Sequence, residues 1–112
     1  MEKDIMGSLL LDFYGNLLTE KQREVMRLYV ECDTGLSEIA TMLGSSRQAI
    51  YDIVKASENL LASFEQKMRA VDKYLKNREL LLETQEIVSK HVQNNSDLLI
   101  VSENIDKVIE NL

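Results

Sequence analysis

Between Ser45 and Lys55 the chain reads SSRQAIYDIVK. Ile50 and Ile53 are its apolar wedge, which leaves Ser46, Arg47, Gln48, Tyr51, Asp52 and Lys55 free for other contacts. Apart from Asp52, these residues have the chemistry of nucleic-acid recognition. Arginine pairs with the O6 and N7 of guanine, and glutamine with the N6 and N7 of adenine. Ser46 offers a hydroxyl to a phosphate, Tyr51 a ring to a sugar or a thymine methyl, and Lys55 an ammonium to the backbone. The start of a recognition helix adds unpaired N–H groups that suit an anion. Arg23 and Arg27, earlier in the chain, are further cations for phosphate.

The charge balance sets a limit on this chemistry. The 112 residues carry 13 Lys and Arg against 19 Asp and Glu, a formal net charge of -6. Most affinity for DNA comes from neutralised phosphates. Arg23, Arg27, Arg47 and Lys55 supply about two to four such contacts, for a salt slope of about -2 to -4. That predicts weak binding by a monomer. A dimer doubles the contacts and sets two recognition helices about 34 Å apart on one DNA face. Acidic residues elsewhere do not forbid binding, because charges are screened over about 8 Å at physiological salt.

Helices must position these residues. The chain has no proline, four glycines and few aromatics, which favours an all-α fold. Ile5, Met6, Leu9, Leu10, Phe13 and Tyr14 form one helical stripe over 4–14, and Gly15 is its stop. Thr19 and Gln22 make a capping box for a helix of about 20–31, with Val25, Leu28 and Tyr29 inward. Asp33, Thr34 and Gly35 end it. Ser37 caps a short helix of about 38–43 that buries Ile39, Ala40 and Leu43, and Gly44 supplies a turn. Ser45, with Gln48 three residues on, repeats the box at the head of the next helix. Ala40, Gly44, Ile50 and Ile53 thus fill the small, turning and wedging roles of a helix-turn-helix. Ser45 stands where many such motifs carry Val or Ile.

Beyond the motif, Ile50, Val54, Ser57, Leu61, Phe64, Met68, Val71 and Leu75 recur as a heptad seam, and Asn77 is the first break. A further helix fits about 78–92. QNNS is a connector, and Ser96 caps a last helix with Leu98, Val101, Ile105, Val108 and Leu112 inward. Residues 1–57 read as an N-terminal helix plus the helix-turn-helix. Residues 58–112 read as a helical extension that packs on it, mediates dimerisation, or does both. Lys67, Arg69, Lys73, Lys76 and Arg78 form a local basic run, read either as a solvated helix face or as a second contact surface.

The stretch LTEKQREVMRLYVECDTGLSEIATMLGSSRQAIYDIV resembles region 4 of bacterial sigma factors. The similarity lies in LT-x-x-Q-R opening a helix, LY near its end, LSEIA and SRQAIYDIV. Primary sigma factors carry extra arginines on the second helix of the motif, where this chain has Ala49 and Tyr51. The whole chain, with its N-terminal helix and helical tail, is similar to the YlxM family of small DNA-binding proteins. That resemblance implies a sigma-region-4-like bundle. It also implies a regulatory link to the signal recognition particle, through its protein Ffh, its receptor FtsY or its RNA. The expected partners are therefore DNA, a second copy of the chain, and the particle's protein or RNA.

Other chemistries find no support in the sequence. His91 has no ligand partners at metal spacing, and Cys32 is a lone thiol that cannot form an internal disulfide, which fits a reducing cytoplasm. Neither a Ser-His-Asp order nor a phosphate loop is present. The expectation is a non-enzyme with no catalytic residues, no cofactor and no metal. The N-terminus lacks a signal-peptide pattern, and no run approaches the ~20 apolar residues of a membrane span. Met1, Met6, Met26, Met42 and Met68 are too scattered to be a binding box, and most read as core filler.

Overall fold

The computed structural model describes residues 3–112, with side chains from Ile5 onward, so Met1 lies outside the described residues. The fold is all-α, with no strand among the described residues. The helices are α1 (Lys3–Tyr14), α2 (Glu20–Met26), α3 (Leu36–Leu43), α4 (Arg47–Met68), α5 (Ala70–Ser89) and α6 (Ser96–Glu110). A 3-10 turn, Gly15–Leu17, follows α1, and a π turn, Arg27–Glu31, follows α2. The chain divides into two compact units, one reaching to Val71 and the other running Asp72–Leu112.

In the first unit α4 is the hub and packs against α1, α2 and α3. Its inward side carries Ile50, Val54, Ser57 and Leu61, all buried, at the spacing that repeats one face of a helix. Leu11, Tyr14, Leu18, Val25, Met26, Leu28, Ile39, Ala40 and Val71 complete the core. The first half of the seam is thus spent inside its own unit and is not open to a second chain. The Ser57 hydroxyl is fully buried with no hydrogen-bond partner among the described residues, which makes it the weak place in the seam. Of the methionines, Met26 is core. Met42 and Met68 are exposed, contrary to the filler reading.

The capping box of α2 forms as its sequence dictates. Thr19 Oγ1 accepts from the Gln22 N–H at 3.2 Å, and Gln22 Oε1 accepts from the Thr19 N–H at 3.0 Å. Three other caps differ from the sequence reading by one or two residues. Gly35, not Ser37, caps α3; its carbonyl accepts from Ile39 at 3.0 Å, and Leu36 is already helical. Asn95, not Ser96, caps α6 and accepts from the N–H groups of Asp97 and Leu98.

The third displaced cap is Ser46, in place of Ser45. Gly44 takes φ 67, the left-handed region where glycine costs least. The Ser45 N–H then reaches back to the Ala40 carbonyl at 2.9 Å, the six-to-one bond of a Schellman ending. Ser45 therefore belongs to the end of α3. Ser46 Oγ accepts from the Ala49 N–H at 3.1 Å and starts α4. Ser46→Ala should lower stability by about 1 kcal/mol, whereas Ser45→Ala should leave it nearly unchanged. Paired denaturation curves measure both, and equal losses would contradict the assignment.

The long helix also ends earlier than expected. α4 stops at Met68, Arg69 turns left-handed at φ 54, and α5 begins at Ala70, so Asn77 lies inside a helix. Tyr14 holds the break. Its buried hydroxyl donates to Glu65 Oε1 and accepts from the Ala70 N–H at 3.0 Å, while the same Glu65 oxygen accepts from the Val71 N–H at 3.0 Å. Two free N–H groups at the start of α5 are thereby capped from elsewhere in the fold.

The second unit pairs α5 with α6. Leu81, Gln85 and Val88 face inward on one helix and Leu98, Ser102, Ile105 and Ile109 on the other, all half-buried, as is Val92 in the connector. Gln85 Nε2 donates to the Ser102 carbonyl at 3.2 Å and to Asp106 Oδ1 at 2.6 Å, which fixes the register. Val101, Val108 and Leu112, read as inward, are exposed. Two helices cannot enclose a core between them, and no residue after Val71 is buried.

Candidate nucleic-acid interface

α3, the Gly44 turn and the start of α4 form the helix-turn-helix. Ile39 and Ala40 are buried in α3, and Ile50 and Val54 in α4; Leu43 and Ile53 are half-buried beside them. Burying this side rotates the other outward. Ser46, Arg47, Gln48, Tyr51, Asp52 and Lys55 are all exposed, with Tyr51 at 40%. The first turn of α4 has no acidic residue, so its N–H groups meet solvent without a competing carboxylate in that turn.

The exposed side chains hold one another. Gln48 Nε2 donates to Asp52 Oδ1 at 2.9 Å. Lys55 Nζ lies 3.8 Å from Glu58 Oε1 and 5.7 Å from the centre of the Tyr51 ring. These ties are at the surface and each is weak. They orient Gln48 and Lys55 and offset part of the local positive charge. Both follow three- or four-residue helical spacing, the one signal by which the sequence announces them. The Ser46 oxygen is engaged as a helix cap, which leaves its hydroxyl proton free to donate.

Arg23 and Arg27 lie on α2 and at the start of the π turn, outside the helix-turn-helix. Arg23 is half-buried and Arg27 exposed, and both line a shallow hollow on α2 and the π turn with Glu20, Lys21 and Glu24. Arg27 Nη1 lies 4.0 Å from Cys32 Sγ, at the limit of a weak contact. No hydrogen bond or ion pair joins these arginines to the α4 group among the described residues. The basic run is exposed at every position, and its Lys76 pairs with Asp72 at 3.1 Å.

No group of metal-ligating side chains gathers among the described residues, and no helix there is long and apolar enough to cross a membrane.

Comparison with known proteins points the same way as this geometry. Residues 1–100 match the model of the family UPF0122, described as "Putative helix-turn-helix protein, YlxM / p13 like". A UPF0122 protein of Clostridium acetobutylicum is 37% identical over 106 residues, covering 92% of this chain and 91% of the relative. One of Clostridium novyi is 46% identical over 90 residues, 80% of this chain and 76% of the relative. One of Halalkalibacterium halodurans is 39% identical over 106 residues, 95% and 96% of the two chains.

Proposed function

Because this chain belongs to the UPF0122 family of helix-turn-helix proteins, YlxM / p13 like, we propose that it is a DNA-binding regulatory protein that reads DNA with the start of α4. The observation that carries the reading is the division of that helix into a buried apolar side and an exposed polar one. Arg47, Gln48 and Tyr51 meet the bases in the major groove, Ser46 and Lys55 the phosphates. Arg23 and Arg27 add phosphate contacts where the backbone passes α2. In this reading two copies associate through the apolar residues that α5 and α6 leave exposed, among them Leu80, Leu82, Ile87, Leu99 and Ile100. Light scattering at the mass of two chains supports that association, and a single-chain mass refutes it.

The test begins with a duplex selected from a random pool by the full-length protein. Arg47→Ala with Lys55→Ala should weaken its binding about tenfold or more. Lys55→Ala alone should make the salt slope shallower by about 1. Unchanged affinity in the double variant, or failure to select any duplex, would overturn the assignment.

A second reading follows from the ties on Gln48 and Lys55, which engage one reading amide and pair off one cation at the start of α4. In it the chain acts directly on the protein or RNA of the signal recognition particle. Crosslinking and sequencing of nucleic acid bound in cells separates the two. Genomic DNA favours the first, and the particle's RNA favours the second.

A further inference from the structure

Away from the α4 start, the first unit has a second concave feature. A hollow of about 680 Å³ opens between α1, the π turn and the middle of α4. That volume lies in the range of small-molecule sites. Met6, Leu10, Val30 and Leu61 supply its apolar surface. Among the described residues, the charged ones on its walls are both acidic, Asp33 and Glu58. Glu58 shares its charge with Lys55 at 3.8 Å. Asp33 has no ion-pair or hydrogen-bond partner among the described residues, and it is held at φ 50, just after the π turn. The π turn, one residue wider than an α turn, brings the consecutive residues Tyr29 and Val30 to the same hollow.

These walls are complementary to an apolar body bearing one positive charge. An anionic amphiphile of the same size would bring its charge against two carboxylates. A neutral one would fill the apolar part and gain nothing from them. We propose that this hollow binds a small amphiphilic cation, its apolar part against Leu10, Val30 and Leu61 and its charge beside Asp33 and Glu58. Glu58 also pairs with Lys55 of the proposed DNA surface, but the proposal does not rest on that reading and its test needs no DNA.

The probes are octylammonium, octanoate and 1-octanol, titrated into the full-length protein while methyl NMR signals are followed. Octylammonium should give saturable shifts at Met6, Leu10, Val30 and Leu61. Its affinity should exceed that of octanoate about five- to tenfold, the effect of two partly exposed charge pairs. Asp33→Asn with Glu58→Gln should close that gap and leave octanol unaffected. Asparagine tolerates the left-handed backbone, so Asp33→Asn keeps the turn. Equal affinity for octylammonium and octanoate, unmoved methyls at these four residues, or a gap that survives the double variant would each overturn the proposal.

Discussion

Ile50→Ala should lower the unfolding free energy by about 2–5 kcal/mol, the usual cost of truncating a buried isoleucine. Ile50 is fully buried in α4, in a core shared with Ile39 of α3 and Val25 of α2. Small domains are stable by only about 5–15 kcal/mol, so this one change consumes a large share of the total. Ile50 also sets the rotation of α4, since burying it turns Gln48 and Lys55 outward, while Arg47 is exposed as the first residue of the helix. On the proposed reading, the same variant should weaken DNA binding through loss of fold rather than loss of a contact. Ile53→Ala, at a half-buried position, should cost distinctly less. Urea denaturation followed by circular dichroism compares the two, and an unshifted midpoint for Ile50→Ala would mean that α4 is not wedged at this point.

Tyr14→Phe should cost about 1–3 kcal/mol near neutral pH, although it removes a single oxygen. That oxygen accepts from Ala70 and donates to Glu65 at the break between α4 and α5. Without it the Ala70 N–H loses its acceptor in a half-buried setting. Arg69 must still hold a left-handed conformation that favours glycine, with one fewer bond to fix it. The loss also depends on pH. Burial first, and the bond to Glu65 second, raise the Tyr14 pKa above the ordinary 10.0. Above pH 10.0 the unfolded chain releases the phenol proton before the folded one does, so stability falls as pH rises. Tyr14's contribution is thus complete below that pH and is lost as pH passes the raised folded value. The difference between the parent and Tyr14→Phe should narrow at alkaline pH, and a constant difference would contradict this.

What could be read from the sequence follows from how local each determinant is. The Thr19–Gln22 box and the Gly44 turn depend on residues within one turn of each other, and both stand where the sequence puts them. The displaced caps arise where small polar or glycine neighbours compete. Ser45 and Ser46 are chemically equal, and the choice falls to the Ser45 N–H bond to Ala40, a backbone event with no side-chain signature. The break at Arg69 has no glycine, proline or asparagine to mark it. Its cause is Tyr14, more than fifty positions away in sequence, and no periodicity within α4 contains that information. The π turn was likewise hidden, because its residues continue a helical pattern without a breaker.

The polar side of α4 was more accessible to sequence reading. Once Ile50 and Ile53 are assigned inward, geometry leaves Gln48, Tyr51 and Lys55 outward, as the structure has them, and Arg47 is exposed at the helix start. The ties of Gln48 to Asp52 and Lys55 to Glu58 lie at ordinary helical spacing. They supply a local reason, beyond net charge, to expect modest affinity for nucleic acid.

The account stands on the outward side of α4 meeting DNA. Its most direct test is chemical-shift mapping of the isotopically labelled full-length protein on titration with the selected duplex. Shifts centred on Ser46, Arg47, Gln48, Tyr51 and Lys55, with smaller ones at Arg23 and Arg27, are the predicted result. A duplex that binds yet leaves these residues unmoved, with shifts confined to residues 72–112, would contradict it.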